Sequence, residues 1–178
     1  MGVNGKVGQA AAQIATWRGA RVIGVVRKAE PYEGHASARV EIIDSSSRDV
    51  AEAVRDMTNG NGADIVFNTV GDPYFQAAHK SLAKMGRQIL IAAIKPIVEF
   101  NIFEFYRGRH TYVGIDTLAL SSIETGEVLR GLLPGFESGA LKPFAIEPSS
   151  VYPLARARDA YHAVLGSARN RVLFDPKL

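Results

Sequence analysis

The first 26 residues hold three features in a fixed order: a glycine-spaced turn, an alanine-rich helix and a run of buried-type apolar residues. That order leaves few folds open. Gly5 and Gly8 lie three apart, the spacing of the last two glycines of a G-x-G-x-x-G turn, and Val3 stands where the first would fall. In such a turn one glycine lets the backbone approach a pyrophosphate and another lets the helix pack close to the sheet. The following helix offers unpaired N–H groups and the positive end of its dipole to an anion. Ala10, Ala11, Ala12 and Ala15 favour helix, and Val7, Ala11 and Ile14 repeat at i, i+4 and i+7 to give one apolar face. Gly19 is a natural stop. Arg21–Val26 then reads as a buried parallel strand. A plain glycine turn opening an amphipathic helix stays open as the simpler reading.

The alternation continues. Arg39–Ile43 reads as a short strand and Ser47 as the cap of a helix reaching Thr58, with Val50, Val54 and Met57 on one face. Ala63–Asn68 is the next strand, broken by Gly71-Asp-Pro73, with Pro73 suited to a first helical position. A helix to about Lys84, a stop at Gly86 and a strand over Arg87–Ala92 follow. Asn101–Arg107 reads as one or two helical turns, Thr111–Ile115 as a strand, and Ser121–Glu137 as an interrupted helix. Phe144–Glu147 is extended, Leu154–Leu165 an amphipathic helix, and Arg171–Phe174 a last strand. Such alternation means βαβ units, a parallel sheet and helices on both faces. The expected fold class is α/β, a Rossmann-like doubly wound parallel sheet. Its first strand should precede the glycine turn and is largely missing, so the expectation is the downstream part of something longer. The expected division is residues 1–138 as the dinucleotide-binding domain and 139–178 as a C-terminal segment.

Composition excludes several classes. With 47% hydrophobic and 22% charged residues, this is an ordinary globular chain. A net charge of +3, without a basic block, gives no support to nucleic-acid binding. The tightest basic cluster, Arg107, Arg109 and His110, reads as a solvated loop. With no cysteine there is neither a disulfide nor a thiolate zinc site in these residues. No apolar run reaches spanning length and no signal peptide is visible, so the expectations are no membrane and a cytoplasmic setting. His35, His79, His110 and His162 show no ligand spacing, and His79 reads as polar helix surface. No metal site is expected.

Several stretches together resemble one family. Val3-x-Gly5-x-Val7-Gly8, Ala11-Ala12-Gln13-Ile14-Ala15 and Gly19-Ala20-x-Val22-Ile23 look like the coenzyme domain of medium-chain dehydrogenases/reductases. Gly62 through Asn68, then Val70-Gly71, matches that family's fourth-strand signature, and Leu82-x-x-x-Gly86-Arg87 its next helix–strand junction. Tyr152-Pro153-Leu154 with Ala157, Ala160 and Tyr161 resembles its late helix. The resemblance lies closest to the quinone-oxidoreductase-like, zinc-independent branch, beside the zinc-type alcohol dehydrogenases. It implies a second, β-rich catalytic lobe upstream, toward which residues 139–178 would return. Departures are the missing first strand, Lys6 at an often small position, a short loop after the second strand, and Asp44 where a tyrosine is common.

Candidate site residues follow. Asn4, Gly5, Lys6, Val7 and Gly8 form the pyrophosphate turn. Arg27 and Lys28 follow the second strand of the expected fold, where an acidic residue would hold a ribose 2′-hydroxyl and a basic one a 2′-phosphate. NADP(H) is therefore read over NAD(H), although Glu30 lies nearby. Asn68, Val70 and Gly71 end a strand at the carboxyl edge, where open α/β sheets bind ligands; by resemblance they line the ribose and nicotinamide. Ala92 and Ala93, by the same resemblance, offer backbone contacts to nicotinamide. Tyr106 and Tyr112 read as packing aromatics, and no catalytic proton donor is identified. The resemblance implies an NADPH-dependent reductase acting on a quinone, enone or other carbonyl compound, and a homodimer through the Thr111–Ile115 edge. The alternatives are a regulatory nucleotide-binding module or inactive fragment, and an enoyl-reductase domain of a polyketide synthase.

Overall fold

In the computed structural model, which describes residues 1–166 and 170–178, the chain divides into two units, Met1–Leu141 and Lys142–Leu178. The first holds two parallel sheets. β1 (Val22–Val26) pairs with β2 (Val40–Asp44) in register Val22 to Val40. β3 (Ala63–Asn68), β4 (Leu82–Leu90) and β5 (Thr111–Gly114) form the other, in that order, with Val66 opposite Gln88 and Gln88 opposite Tyr112.

Alternating side chains place helices on both faces. Val26 packs with Val3 and with Ala12 of α1 (Lys6–Trp17). Its neighbour Val25 points the other way, into Ile43 and into Val50, Ala53 and Val54 of α2 (Val50–Met57). On β3, Val66 packs with Ala78 of α3 (Phe75–Lys80). This is the doubly wound α/β arrangement expected from the sequence.

Three local readings are corrected. Asp49, not Ser47, caps α2: its carboxylate accepts from the Glu52 amide at 2.9 Å, while Ser45–Ser47 turn around Asp44. The helix after Pro73 ends at Lys80 rather than Lys84, because the next residues join the sheet: the Ser81 carbonyl accepts from the Ala63 amide at 2.8 Å and Leu82 pairs with Ala63. The strand then starts at Leu82 and runs through Gly86, with Met85 at φ 64° and a register shift between Ala63 and Ile65. It stops at Leu90, which leaves Ala92 and Ala93 in the loop beyond it.

Further along, α4 (Ile102–Gly108) is capped by Asn101, and α5 (Ser122–Arg130) by a reciprocal capping box between Ser121 and Glu124. Gly131 separates α5 from α6 (Leu133–Glu137). The second unit holds α7 (Ala157–Leu165) and a short parallel pair, β6 (Val151–Tyr152) with β7 (Leu173–Phe174). Tyr161 of α7 sits 6.4 Å, ring to ring, from Phe174.

Candidate functional site at the carboxyl edge of the strands

The glycine turn is held by its own backbone. The Gly5 amide donates to the Gly2 carbonyl at 3.1 Å, and the Gln9 amide donates to the Gly5 carbonyl at 2.8 Å. Gly8 sits beneath this loop with no room for a side chain: a Cβ would lie 2.2 Å from the Gly2 oxygen and 2.8 Å from the Val3 Cα. Above it, Gly5, Lys6 and Val7 are exposed, no side chain caps the helix, and the first turn carries no acidic residue. An anion there meets backbone N–H groups and a helix dipole without a competing carboxylate. Asn4, by contrast, faces a loop: its Nδ2 donates to the Pro31 carbonyl at 2.9 Å and its Oδ1 accepts from the Glu33 amide at 3.2 Å. It fastens the 31–33 segment over the turn.

The ends of three strands meet this turn. Gly2 and Val3 amides donate to the Val25 carbonyl at 3.0 and 3.2 Å, which sets the turn against the end of β1. Arg27 and Lys28 come next in the chain, exposed, with no hydrogen bond or ion pair among the described residues. Thr69 hydroxyl donates to the Met1 carbonyl at 2.7 Å, which ties in the end of β3. Gly71, at φ 96°, abuts the loop after β4: a Cβ on it would lie 2.5 Å from the Ala92 oxygen and 2.8 Å from the Ala93 Cα. The residues singled out by sequence are therefore gathered at one edge.

Asn68 has a different part from a ligand contact. Its side chain is fully buried, its Oδ1 accepts from the Val70 and Gly71 amides at 3.1 and 2.9 Å, and its Nδ2 donates to the Gly71 carbonyl at 2.7 Å. With every polar atom engaged, it shapes the turn that presents Val70 and Gly71. Sequence reasoning missed Asp72, whose carboxylate accepts from the Ile94 and Lys95 amides at 2.6 and 2.8 Å. The Lys95 amide is the first cause that holds this carboxyl below its ordinary value. Asp72 pins the loop carrying Ala92 and Ala93. The only signal was its place in Gly71-Asp-Pro73.

His79 is also not surface: it is 2% exposed. Its Nδ1 lies 2.7 Å from the Tyr112 hydroxyl and its Nε2 3.2 Å from a Glu104 oxygen, which ties α3, β5 and α4 together. Tyr112 stands among Phe75, Phe100 and Phe105, with ring centroids 5.1–5.5 Å away. Burial, with the Glu104 charge second, pushes its phenol up to about 12. Tyr112 thus packs, as the sequence suggested, whereas Tyr106 is exposed.

A doubly wound parallel sheet with an open glycine turn at its carboxyl edge is a Rossmann-like cofactor-binding domain. Over residues 7–130 the chain matches the zinc-binding dehydrogenase family, and it belongs to that family, as the C-terminal domain of the medium-chain dehydrogenase/reductase architecture. It is 32% identical over 160 residues to a highly reducing polyketide synthase of Emericella nidulans, covering 84% of this chain and 6% of that protein. It is 32% identical over 146 residues to a zinc-type alcohol dehydrogenase-like protein of Schizosaccharomyces pombe, covering 80% of this chain and 41% of that one. In structure it is similar to a quinone oxidoreductase of Pseudomonas syringae pv. tomato DC3000, with a TM-score of 0.77, 27% identity, 98% of this chain and 55% of that one. The chain thus spans about half of that structure and less of the two relatives.

Proposed function

We propose that the chain is the NADP(H)-binding portion of an oxidoreductase that passes hydride between NADPH and a quinone, an enone or another carbonyl compound. The observation that carries the reading is the pair Arg27 and Lys28, exposed beside an open glycine turn and without a partner among the described residues. The bound nicotinamide cofactor supplies the hydride. The protein's part is to bind and orient. Gly5, Lys6, Val7 and Gly8 present backbone donors to the pyrophosphate. Arg27 and Lys28 neutralise the 2′-phosphate. The turn of Val70 and Gly71, shaped by Asn68, lines the ribose and nicotinamide, and Ala92 and Ala93 offer backbone contacts to the nicotinamide. Substrate contacts come from the upstream catalytic lobe implied by the resemblance, toward which residues 139–178 return. The exposed edge of β5 pairs with its copy in a homodimer, and the protein works in the cytoplasm.

A second reading is favoured by the polyketide synthase relative: an enoyl-reductase domain within a multidomain synthase, with the same hydride chemistry. A purely regulatory nucleotide-binding module is the third. Fluorescence titration with NADPH and NADH tests the cofactor part. Charge-assisted hydrogen bonds to phosphate contribute about 1.5–3 kcal/mol, so Arg27→Ala weakens NADPH binding about tenfold or more and leaves NADH unchanged. Equal loss for both cofactors, or none for either, refutes the 2′-phosphate role. An absence of reductase turnover on quinones, enones and aldehydes by the protein joined to its upstream lobe refutes the enzyme reading.

A further inference from the structure

Between α2 and β3 the chain runs Thr58-Asn59-Gly60-Asn61-Gly62, with two asparagines that each precede a glycine. Both asparagines are exposed, and neither carboxamide has a hydrogen bond among the described residues. An asparagine before glycine is well placed to cyclise. The glycine nitrogen approaches the carboxamide carbon with no side chain in the way, and the ring that forms has five members. The two dipeptides carry the same local chemistry, so only the fold can tell them apart.

It does so through what holds each attacking nitrogen. The Gly60 amide donates to the Arg55 carbonyl at 2.8 Å, with Asn59 left-handed at φ 53°. That backbone bond closes the C-terminus of α2, and ring closure at Asn59 has to break it. The Gly62 amide donates instead to the Thr58 hydroxyl oxygen at 2.8 Å, and the same hydroxyl donates to the Val54 carbonyl at 2.7 Å. Freeing the Gly62 nitrogen breaks one bond to a side chain and leaves the end of α2 intact.

We propose that Asn61 is a covalent modification site, converting spontaneously to isoaspartate and aspartate, and that the Thr58 hydroxyl sets the rate by holding the Gly62 nitrogen back. Hydroxide from solvent removes the Gly62 amide proton. The nitrogen attacks Cγ of Asn61, an N–Cγ bond forms, and the bond from Cγ to the side-chain nitrogen breaks with loss of ammonia. Water then opens the cyclic imide at one carbonyl or the other, with no change in oxidation state. Isoaspartate places one extra methylene in the main chain before Gly62. The next amide, that of Ala63, donates to the Ser81 carbonyl at 2.8 Å, and Ala63 pairs with Leu82. A Cβ on Gly62 would lie 2.8 Å from backbone atoms of Leu82 and Ala83, so the lengthened chain has no slack there. The conversion loosens the first rung of the β3–β4 ladder, at the end of β3 away from Asn68.

The test is peptide mapping by mass spectrometry of the whole chain aged at mildly alkaline pH, folded and in urea, with fragmentation that distinguishes isoaspartate from aspartate. In urea the two asparagines should react at similar rates. In the folded chain Asn61 should lead Asn59 by about threefold or more, and Thr58→Val, which keeps the side-chain shape without the hydroxyl, should speed Asn61 by a further threefold to tenfold, about the worth of one hydrogen bond. Asn61→Gln, whose ring closure is slower, should prevent the fall in melting temperature that the aged parent shows. A folded chain in which Asn59 leads, or in which neither reacts although both react in urea, overturns the site. An Asn61 rate unmoved by Thr58→Val, or equal acceleration of both asparagines through fraying of α2, overturns the part given to Thr58. An equal fall in melting temperature for aged Asn61→Gln overturns the effect on the ladder.

Discussion

Replacing Gly8 by alanine sets two effects against each other, and the structure decides between them. Gly8 lies in the first turn of α1, where alanine is favoured over glycine by up to about 1 kcal/mol. Against that, the new methyl would stand 2.2 Å from the Gly2 oxygen and 2.9 Å from the Val3 oxygen, both backbone atoms. The Gly2 oxygen cannot yield freely, because it accepts from the Gly5 amide and its chain is tied through Met1 and Val3 to both strands. Forcing extra volume into a packed site costs about 1–3 kcal/mol, and this contact is with backbone, so the upper half of that range applies. The net expectation is a loss of about 1–2 kcal/mol, or about 2–8 °C in melting temperature for a chain of this size. Gly126→Ala is the matched control. It lies inside exposed α5 with nothing nearer than 3.9 Å to the added carbon, and it should stabilise by about 0.5–1 kcal/mol. Thermal melts of both variants, with NADPH titration of each, are the assay. If Gly8→Ala melts at or above the parent temperature, or binds NADPH as the parent does, the close-packed glycine turn is not what holds the site.

Tyr112→Phe removes the partner of a buried His79 nitrogen and should cost about 1–3 kcal/mol, read as a lower urea midpoint; an unchanged midpoint refutes the buried link. Gln88 is fully buried, with neither amide atom hydrogen-bonded among the described residues. Gln88→Met keeps the volume and should stabilise by about 1–3 kcal/mol, and a fall in midpoint refutes that. The Met1 ammonium has a folded-state value of about 6 against 8.0 for the free group, so between these pH values the unfolded chain binds more protons. Stability should therefore fall by about 2 kcal/mol as pH drops from 8 to 6. Acetylation of the amino group should remove that dependence, and a slope that survives acetylation assigns it to another group.

The fold was legible wherever one periodicity held along a segment. Ala63–Asn68 reads as strand and is strand, and Asn101 and Ser121, each followed three residues later by Glu, cap the helices expected after them. It was illegible where a backbone device overrode local pattern. Residues 75–84 keep helical spacing, yet the Ala63 amide of β3 donates to the Ser81 carbonyl and the chain extends from Leu82. Gly86 then serves packing rather than termination: a Cβ on it would lie 2.8 Å from the Ala83 oxygen. Nor does a one-dimensional pattern show that Gln88, centred in an apolar strand, lacks partners.

The site divides along the same line. Glycines and exposed cations announce themselves, because a ligand's demands on backbone room and charge are written in single residues. The residues that hold the strand ends in place do so through pairs distant in sequence. Asn4 reaches Pro31, Asp72 reaches Ile94, and Thr69 reaches Met1. Each is an ordinary polar loop residue until the chain is folded. Asn68 is the instructive case, because its position at a strand's carboxyl end suits a ligand contact as well as it suits a turn. The accounting of its hydrogen bonds separates the two: three bonds to the backbone of Val70 and Gly71 engage both ends of the amide. Asn68→Ala should then act on cofactor binding only through the conformation of Gly71. Its effect on NADPH and NADH should be equal, in contrast to the selective loss expected of Arg27→Ala.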